Sequence, residues 1–83
     1  MYSAMYTIYM TFDLVYKFLA NGSEIRRHGA EMTKYRLGKS GKQLMEGKRL
    51  LDRKTWVEFP ATINSFDIMA ADWEVVPKSD AQD

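Results

Sequence analysis

From residue 12 to residue 19 the apolar side chains return every three or four positions, as Phe12, Val15, Tyr16 and Leu19. That period puts them on one side of a helix and predicts a core-facing stripe over residues 11–20. Thr11 stands where an N-cap belongs, Asp13 suits the positive first turn, and Asn21-Gly22 supplies a left-handed stop. Past Gly22 the period drops to two. Residues 24–27 and 33–37 read as an antiparallel pair joined around His28-Gly29. Residues 38–47 (GKSGKQLMEG) are polar and punctuated by glycine, a long loop or a hairpin holding a short strand. Residues 48–52 and 55–59 read as two further strands with Arg53-Lys54 as their turn, followed by a connector over 60–64. The stretch SFDIMAADWEVV then changes period within twelve residues. Ser65 is its candidate N-cap and Asp67 lies in the first turn, while Phe66, Met69 and Ala70 share one helical face. Trp73 and Val75 alternate with Glu74 as a last half-buried strand, closed by Pro77.

These periods predict an α+β fold: one N-terminal helix packed on a small twisted, mainly antiparallel β-sheet, with a short helical turn before the last strand. A single ligand-binding domain is expected over residues 11–77, and a solvated tail over 78–83. Residues 1–10 (MYSAMYTIYM) read as an N-terminal extension, either an added edge strand or a mobile arm, with Met10 a second candidate initiator.

Size and composition sharpen this. A chain of 83 residues makes one domain that buries only about 60–65% of its unfolded surface. Yet 46% of it is apolar, with two Trp, five Tyr, four Phe and six Met, so surplus apolar surface predicts association with another copy, as a dimer or tetramer. The chain has no cysteine, which excludes disulfides and thiolate metal sites. Asp13 and Lys17 interrupt the longest apolar-rich run well short of the roughly 20 residues of a membrane span. No basic segment or small-residue cleavage motif precedes it, so a cytoplasmic protein without a membrane partner is expected.

The formal net charge is +1, but it is unevenly spread. Residues 24–54 hold ten cations and four anions, whereas residues 55–83 hold one cation and six anions. The middle segment therefore either attracts an anionic ligand, pairs with the acidic third of the chain or of a neighbouring copy, or forms a solvated surface.

Candidate chemistry is sparse. His28 is either a ligand contact beside an Arg pair or a turn residue hydrogen-bonded locally. With no second His, no Cys and no ligand spacing among the carboxylates, no metal site is expected. Gly38-Lys-Ser-Gly-Lys42 is only a fragment of a phosphate loop and reads as a flexible basic loop, though Lys39 and Lys42 are available as mobile charges. Arg26 and Arg27 are neighbours on a strand and point to opposite faces; Arg27, beside the turn, is the better candidate for a bidentate phosphate contact. Trp73 reads as core. Trp56 lies among basic residues and is either sheet packing or a platform for a base, and Asp67 is either a helix-start residue or an acceptor for a ribose hydroxyl or base amine. No nucleophile–base set emerges, so a binder rather than an enzyme is expected, and no cofactor.

Three pieces in order carry a family resemblance: FDLVYKFLANGSEIRRHG, the Tyr35-Arg-Leu37 strand, and Asp67-Ile-Met-Ala-Ala-Asp-Trp-Glu-Val-Val76. Across roughly residues 11–77 they resemble Thoeris anti-defence 2, a family of small phage and prophage proteins. Its members have a short helix ending in Gly and basic residues, an Arg-x-Gly-Trp turn, and a closing Asp-x-x-Ala-x-Asp-Trp-Glu-Val-Val signature. The resemblance implies a homo-oligomer in the host bacterial cytoplasm that sequesters cyclic nucleotide immune signals between subunits without cleaving them. Such signals include cyclic ADP-ribose isomers of TIR enzymes and related cyclic oligonucleotides. In that reading Arg27, with His28 beside it and a mobile Lys, meets phosphate; Trp56 or Phe59 stacks a base; Asn64 and Asp67 meet base or ribose edges. This chain has Ala30 where the family carries a base-stacking Trp, and FPATINSF in the loop that usually carries another, leaving Trp56, Phe59 or Tyr35 to substitute. Two other classes stand beside this one: a nucleic-acid-binding module built on the basic segment, and a structural or partner-inhibiting phage protein.

Overall fold

The computed structural model describes residues 8–77; the expected tail over 78–83 and the first seven residues of the expected extension lie outside the described residues. The element order is α1 (Phe12–Ala20), β1 (Ile25–Arg27), β2 (Thr33–Leu37), β3 (Leu44–Arg49), β4 (Trp56–Pro60), α2 (Ser65–Met69) and β5 (Trp73–Val75). The strands form one sheet in the order β4-β3-β2-β1-β5, antiparallel at every pairing. The expected α+β architecture is what the chain adopts: α1 lies on one face of a five-stranded sheet and α2 precedes the last strand.

The helix ends as its sequence dictates. Gly22 takes a φ of +99°, and the amides of Gly22 and Ser23 bond back to the carbonyls of Leu19 and Phe18 at 3.0 Å each. This pair of bonds closes the last turn, and only glycine adopts the required backbone at no steric cost. At the other end Thr11 occupies the N-cap position without capping an amide; its hydroxyl is spent on the Asp13 carboxylate.

Register assigns the two faces. Opposed residues of antiparallel strands project to the same side, and Ile25 stands opposite both Tyr35 and Val75. The α1 side therefore holds Ile25, Tyr35, Trp73 and Val75, and these meet Val15 and Leu19 of the helix. Trp73 is the hub: it is fully buried, takes Phe12 and Tyr35 edge-on at centroid distances of 5.3 and 5.7 Å, and donates its indole N–H to the Asp67 carbonyl at 2.8 Å. Met10 makes an isolated bridge to the outer edge of β5, exchanging backbone bonds of 2.8 and 3.0 Å with Trp73.

Three local expectations are corrected. The strand expected over residues 48–52 runs instead over Leu44–Arg49. Leu44 pairs with Leu37 across a hairpin whose Gly38 and Gln43 are joined by a 2.8 Å bond, so the glycine-punctuated stretch is the hairpin alternative. The chain leaves the sheet after Arg49 because the Asp52 carboxylate gathers the amides of Lys54 and Thr55, both at 2.9 Å, and Arg53 turns at a φ of +62°. The cap of α2 is Asn64, whose side chain accepts from the Asp67 amide at 2.9 Å, not Ser65. Finally, Phe66 and Met69 are 84% and 82% exposed, so α2 does not bury the apolar stripe its spacing predicts; only Ala70 packs inward.

Candidate functional site

Each strand sends alternate side chains to the face away from α1, and there the sequence deposits charge. Arg26 donates to Glu74 at 2.7 Å, the Lys34 ammonium lies 3.1 Å from Glu24, and the Arg36 guanidinium grips Glu58, with one bond of 2.6 Å. Opposite charges, reaching from β1 to β5 in one pair and across β3 from β2 to β4 in another, thus roof a face that no helix covers among the described residues. Lys34 and Glu74 are buried beneath this layer, each only 6% exposed. The Arg36 guanidinium holds the Glu58 carboxyl below its usual range, and Glu58 in turn raises Arg36.

Trp56 sits within this array. Its ring carries the Lys34 ammonium 4.1 Å and the Arg49 guanidinium 4.8 Å from the centroid, both inside cation–π range. It lies against Gly47, where a Cβ would come within 3.4 Å of the indole, so a side chain at that position would press on the ring. Two buried donors here have no hydrogen-bond partner among the described residues: the indole Nε1 of Trp56 and Nε of Arg49. A buried donor left unpaired typically costs about 1–3 kcal/mol, which makes this pair the conspicuous polar deficit of the sheet.

Arg27 belongs to a different cluster, on the α1 side. Its guanidinium meets Asp67 at 2.6 Å and closes on both oxygens of Asp72, the second at 3.2 Å. Asp72 raises the Arg27 pKa, and Arg27 lowers that of Asp72. One cation between two carboxylates carries a net charge of about −1, so a phosphate approaching Arg27 is met by repulsion. The evident work of this triad is to bind the start of α2 to the ends of β1 and β5. Asp67 takes part as an acceptor from Arg27 and through its capped amide, and Asn64 through that cap.

His28 behaves as a turn residue. Its ring is 3.0 Å from the Tyr9 hydroxyl, with the two rings 4.7 Å apart edge to face, and 3.9 Å from Glu74. Phe59 projects from β4 opposite Glu46, on the α1 side, and is 40% exposed. Arg27 and Phe59 therefore lie on one side of the sheet and Trp56 on the other. The expected hollow lies between copies, and this separation within one chain means that Arg27 and Trp56 meet a common ligand only if they come from different copies. An open hollow of about 650 Å³ lies beside the end of α1, lined by Ser23, Glu24, Arg36 and Val76 among others, but neither Arg27 nor Trp56 reaches it.

The sequence reading missed Lys34, Arg49 and Gly47. The glycine was a usable signal, since glycine inside a strand marks close approach by another group. Among the described residues no helix is long and apolar enough to cross a membrane, and no group of three or more His, Cys, Asp or Glu is placed to hold a metal ion. Comparison of the chain with protein-family models, with curated proteins and with solved structures finds no match.

Proposed function

We propose that the protein is a non-catalytic binder that sequesters a small cyclic nucleotide between copies of itself, in the host bacterial cytoplasm, as its resemblance to the anti-defence family implies. The observation that carries this reading is the Lys34–Trp56–Arg49 stack with its two unpartnered buried donors. An aromatic plane beside two cations matches the two halves of a nucleotide: base on ring, phosphate on cation. Of the two covering cations Lys34 is engaged by Glu24, so a base reaching Trp56 displaces Arg49, whose Nε then takes a phosphate oxygen. Phosphate and base edges are rich in acceptors, the very groups that Arg49 Nε and Trp56 Nε1 lack. Arg27 is the weaker phosphate candidate because Asp67 and Asp72 occupy it.

A thermal-shift panel of cyclic nucleotides tests the reading. A ligand at 100 times its dissociation constant stabilises the fold by about 2.7 kcal/mol, which for a domain of this size raises the midpoint by roughly 10–20 °C. At least one cyclic ADP-ribose isomer or cyclic oligonucleotide is expected to produce such a shift, and Trp56→Ala to abolish it. No shift from any member sinks the proposal. Binding by a nucleic-acid module would instead weaken steeply with salt and favour long polymers. The pairing of Arg26, Lys34 and Arg36 with carboxylates disfavours that alternative.

A further inference from the structure

The sheet has two edges, and they are treated differently. The β5 edge is three residues long and already takes Met10. The β4 edge is five residues long and carries no strand among the described residues. Its backbone parity is fixed by two bonds to β3 and its flank, Leu50 N–H to the Thr55 carbonyl at 2.8 Å and Ala61 N–H to the Leu44 carbonyl at 2.9 Å. In an antiparallel ladder such bonded positions alternate. Odd-numbered residues of β4 thus turn their amides and carbonyls toward β3, and Trp56, Glu58 and Pro60 turn theirs outward.

We infer that this edge pairs with the same edge of a second copy, antiparallel and centred on Glu58, so that two five-stranded sheets become one. The register is self-complementary. Glu58 exchanges both backbone bonds with its counterpart, and the Trp56 amide donates to the partner's Pro60 carbonyl on each side of the axis. Every outward N–H is then used. Pro60, which has no N–H, gives its carbonyl to the partner's Trp56 amide and leaves the Trp56 carbonyl opposite it to solvent. Val57 and Phe59, exposed by 41% and 40%, pair crosswise on the α1 side, each meeting the other residue type. On the opposite face Trp56 lies beside the partner's Pro60. The two central Glu58 carboxylates face each other, but each is held by its own Arg36, so the row across the axis is neutral overall. An unpaired edge of this length is a template for another strand, and a copy of the same chain offers an acceptor to every outward N–H of it.

The inference deepens the reading of a homo-oligomeric binder by naming the subunit contact, and it would carry two Trp56 stacks on one continuous face, roughly 13 Å apart along the strand direction. It does not need the ligand. Sedimentation velocity of the full chain over a concentration series, without nucleotide, is expected to show a monomer–dimer equilibrium, since a short strand contact lies at the small end of interface sizes. Glu58→Pro deletes the central N–H donors while sparing the bonds to β3, and is expected to weaken the dimer at least tenfold. Glu58→Gln loses the same carboxylate charge but keeps the N–H, and is expected to dimerise like the parent. Amide exchange of the parent chain decides independently of any variant: the Trp56 and Glu58 amides are expected to gain protection as concentration rises. A chain that stays monomeric to millimolar concentration, a Glu58→Pro dimer as tight as the parent, or Trp56 and Glu58 amides that exchange freely throughout would overturn the inference. A dimer of this kind that binds no cyclic nucleotide would leave the contact standing and remove the functional reading alone.

Discussion

Trp73 has none of its surface exposed, two aromatic rings against it and its indole N–H satisfied by the Asp67 carbonyl. Truncating it removes the largest side chain in a small core, and Trp73→Ala is expected to cost about 3–5 kcal/mol in urea unfolding. That is a large share of the stability available to a domain of this size. On the opposite face the Lys34–Glu24 pair lies under the charged layer, with side chains 8% and 15% exposed. Removing one partner strands the other, so Glu24→Leu is expected to destabilise by about 2–3 kcal/mol, and Glu24→Leu with Lys34→Met to recover most of that loss. If the double variant is no more stable than the single one, the pair is not coupled as the geometry requires.

Among the elements, α2 is short and keeps its shape by its cap and by the Arg27 triad. Asn64→Ala is expected to cost about 1 kcal/mol and to expose the Asp67 amide to exchange, whereas Ser65→Ala leaves both unchanged. Equal effects from the two would return the cap to Ser65. The β3–β4 connection is held by one carboxylate. Asp52 accepts from the Thr55 hydroxyl at 2.6 Å and from two amides, and these bonds lower its pKa to about 2. An NMR titration of the Asp52 carboxyl is expected to find that value, and Thr55→Val to move it toward the ordinary 3.8.

For the whole molecule the acidic limb of the stability curve follows from the carboxyls whose pKa the fold lowers, Asp13 beside the Thr11 hydroxyl among them. Asp52, bound by Thr55, and Asp72 and Glu58, each bound by an arginine, are all more acidic folded than unfolded. Each therefore stabilises the fold fully above its unfolded value, 3.8 for Asp and 4.5 for Glu, and loses that contribution as pH falls through the folded value. Urea midpoints are expected to be level above roughly pH 5 and to decline below about pH 4. A midpoint unchanged down to pH 2 would show that these bonds do not form in solution.

Periods and punctuation made much of this fold legible. The α1 stripe, the Asn21-Gly22 stop, the bounds of β2 and the burial of Trp73 are local or nearly local, written in spacings of three, four and two and in a glycine free to turn. The opposite orientation of Arg26 and Arg27 was equally legible, because strand geometry alone imposes it. What lay beyond the sequence was every choice among distant partners. Arg27 selects Asp67 and Asp72, Lys34 and Arg49 close on Trp56, and β4 becomes an open edge while β5 receives Met10. Any of ten cations between residues 24 and 54 can meet any carboxylate as far as composition goes. Only register across the sheet brings particular charges within 3 Å, since a shift of one residue would send each side chain to the other face. The apolar spacing in α2 misled for the same reason: periodicity fixes which residues share a side, and tertiary packing decides whether anything covers it.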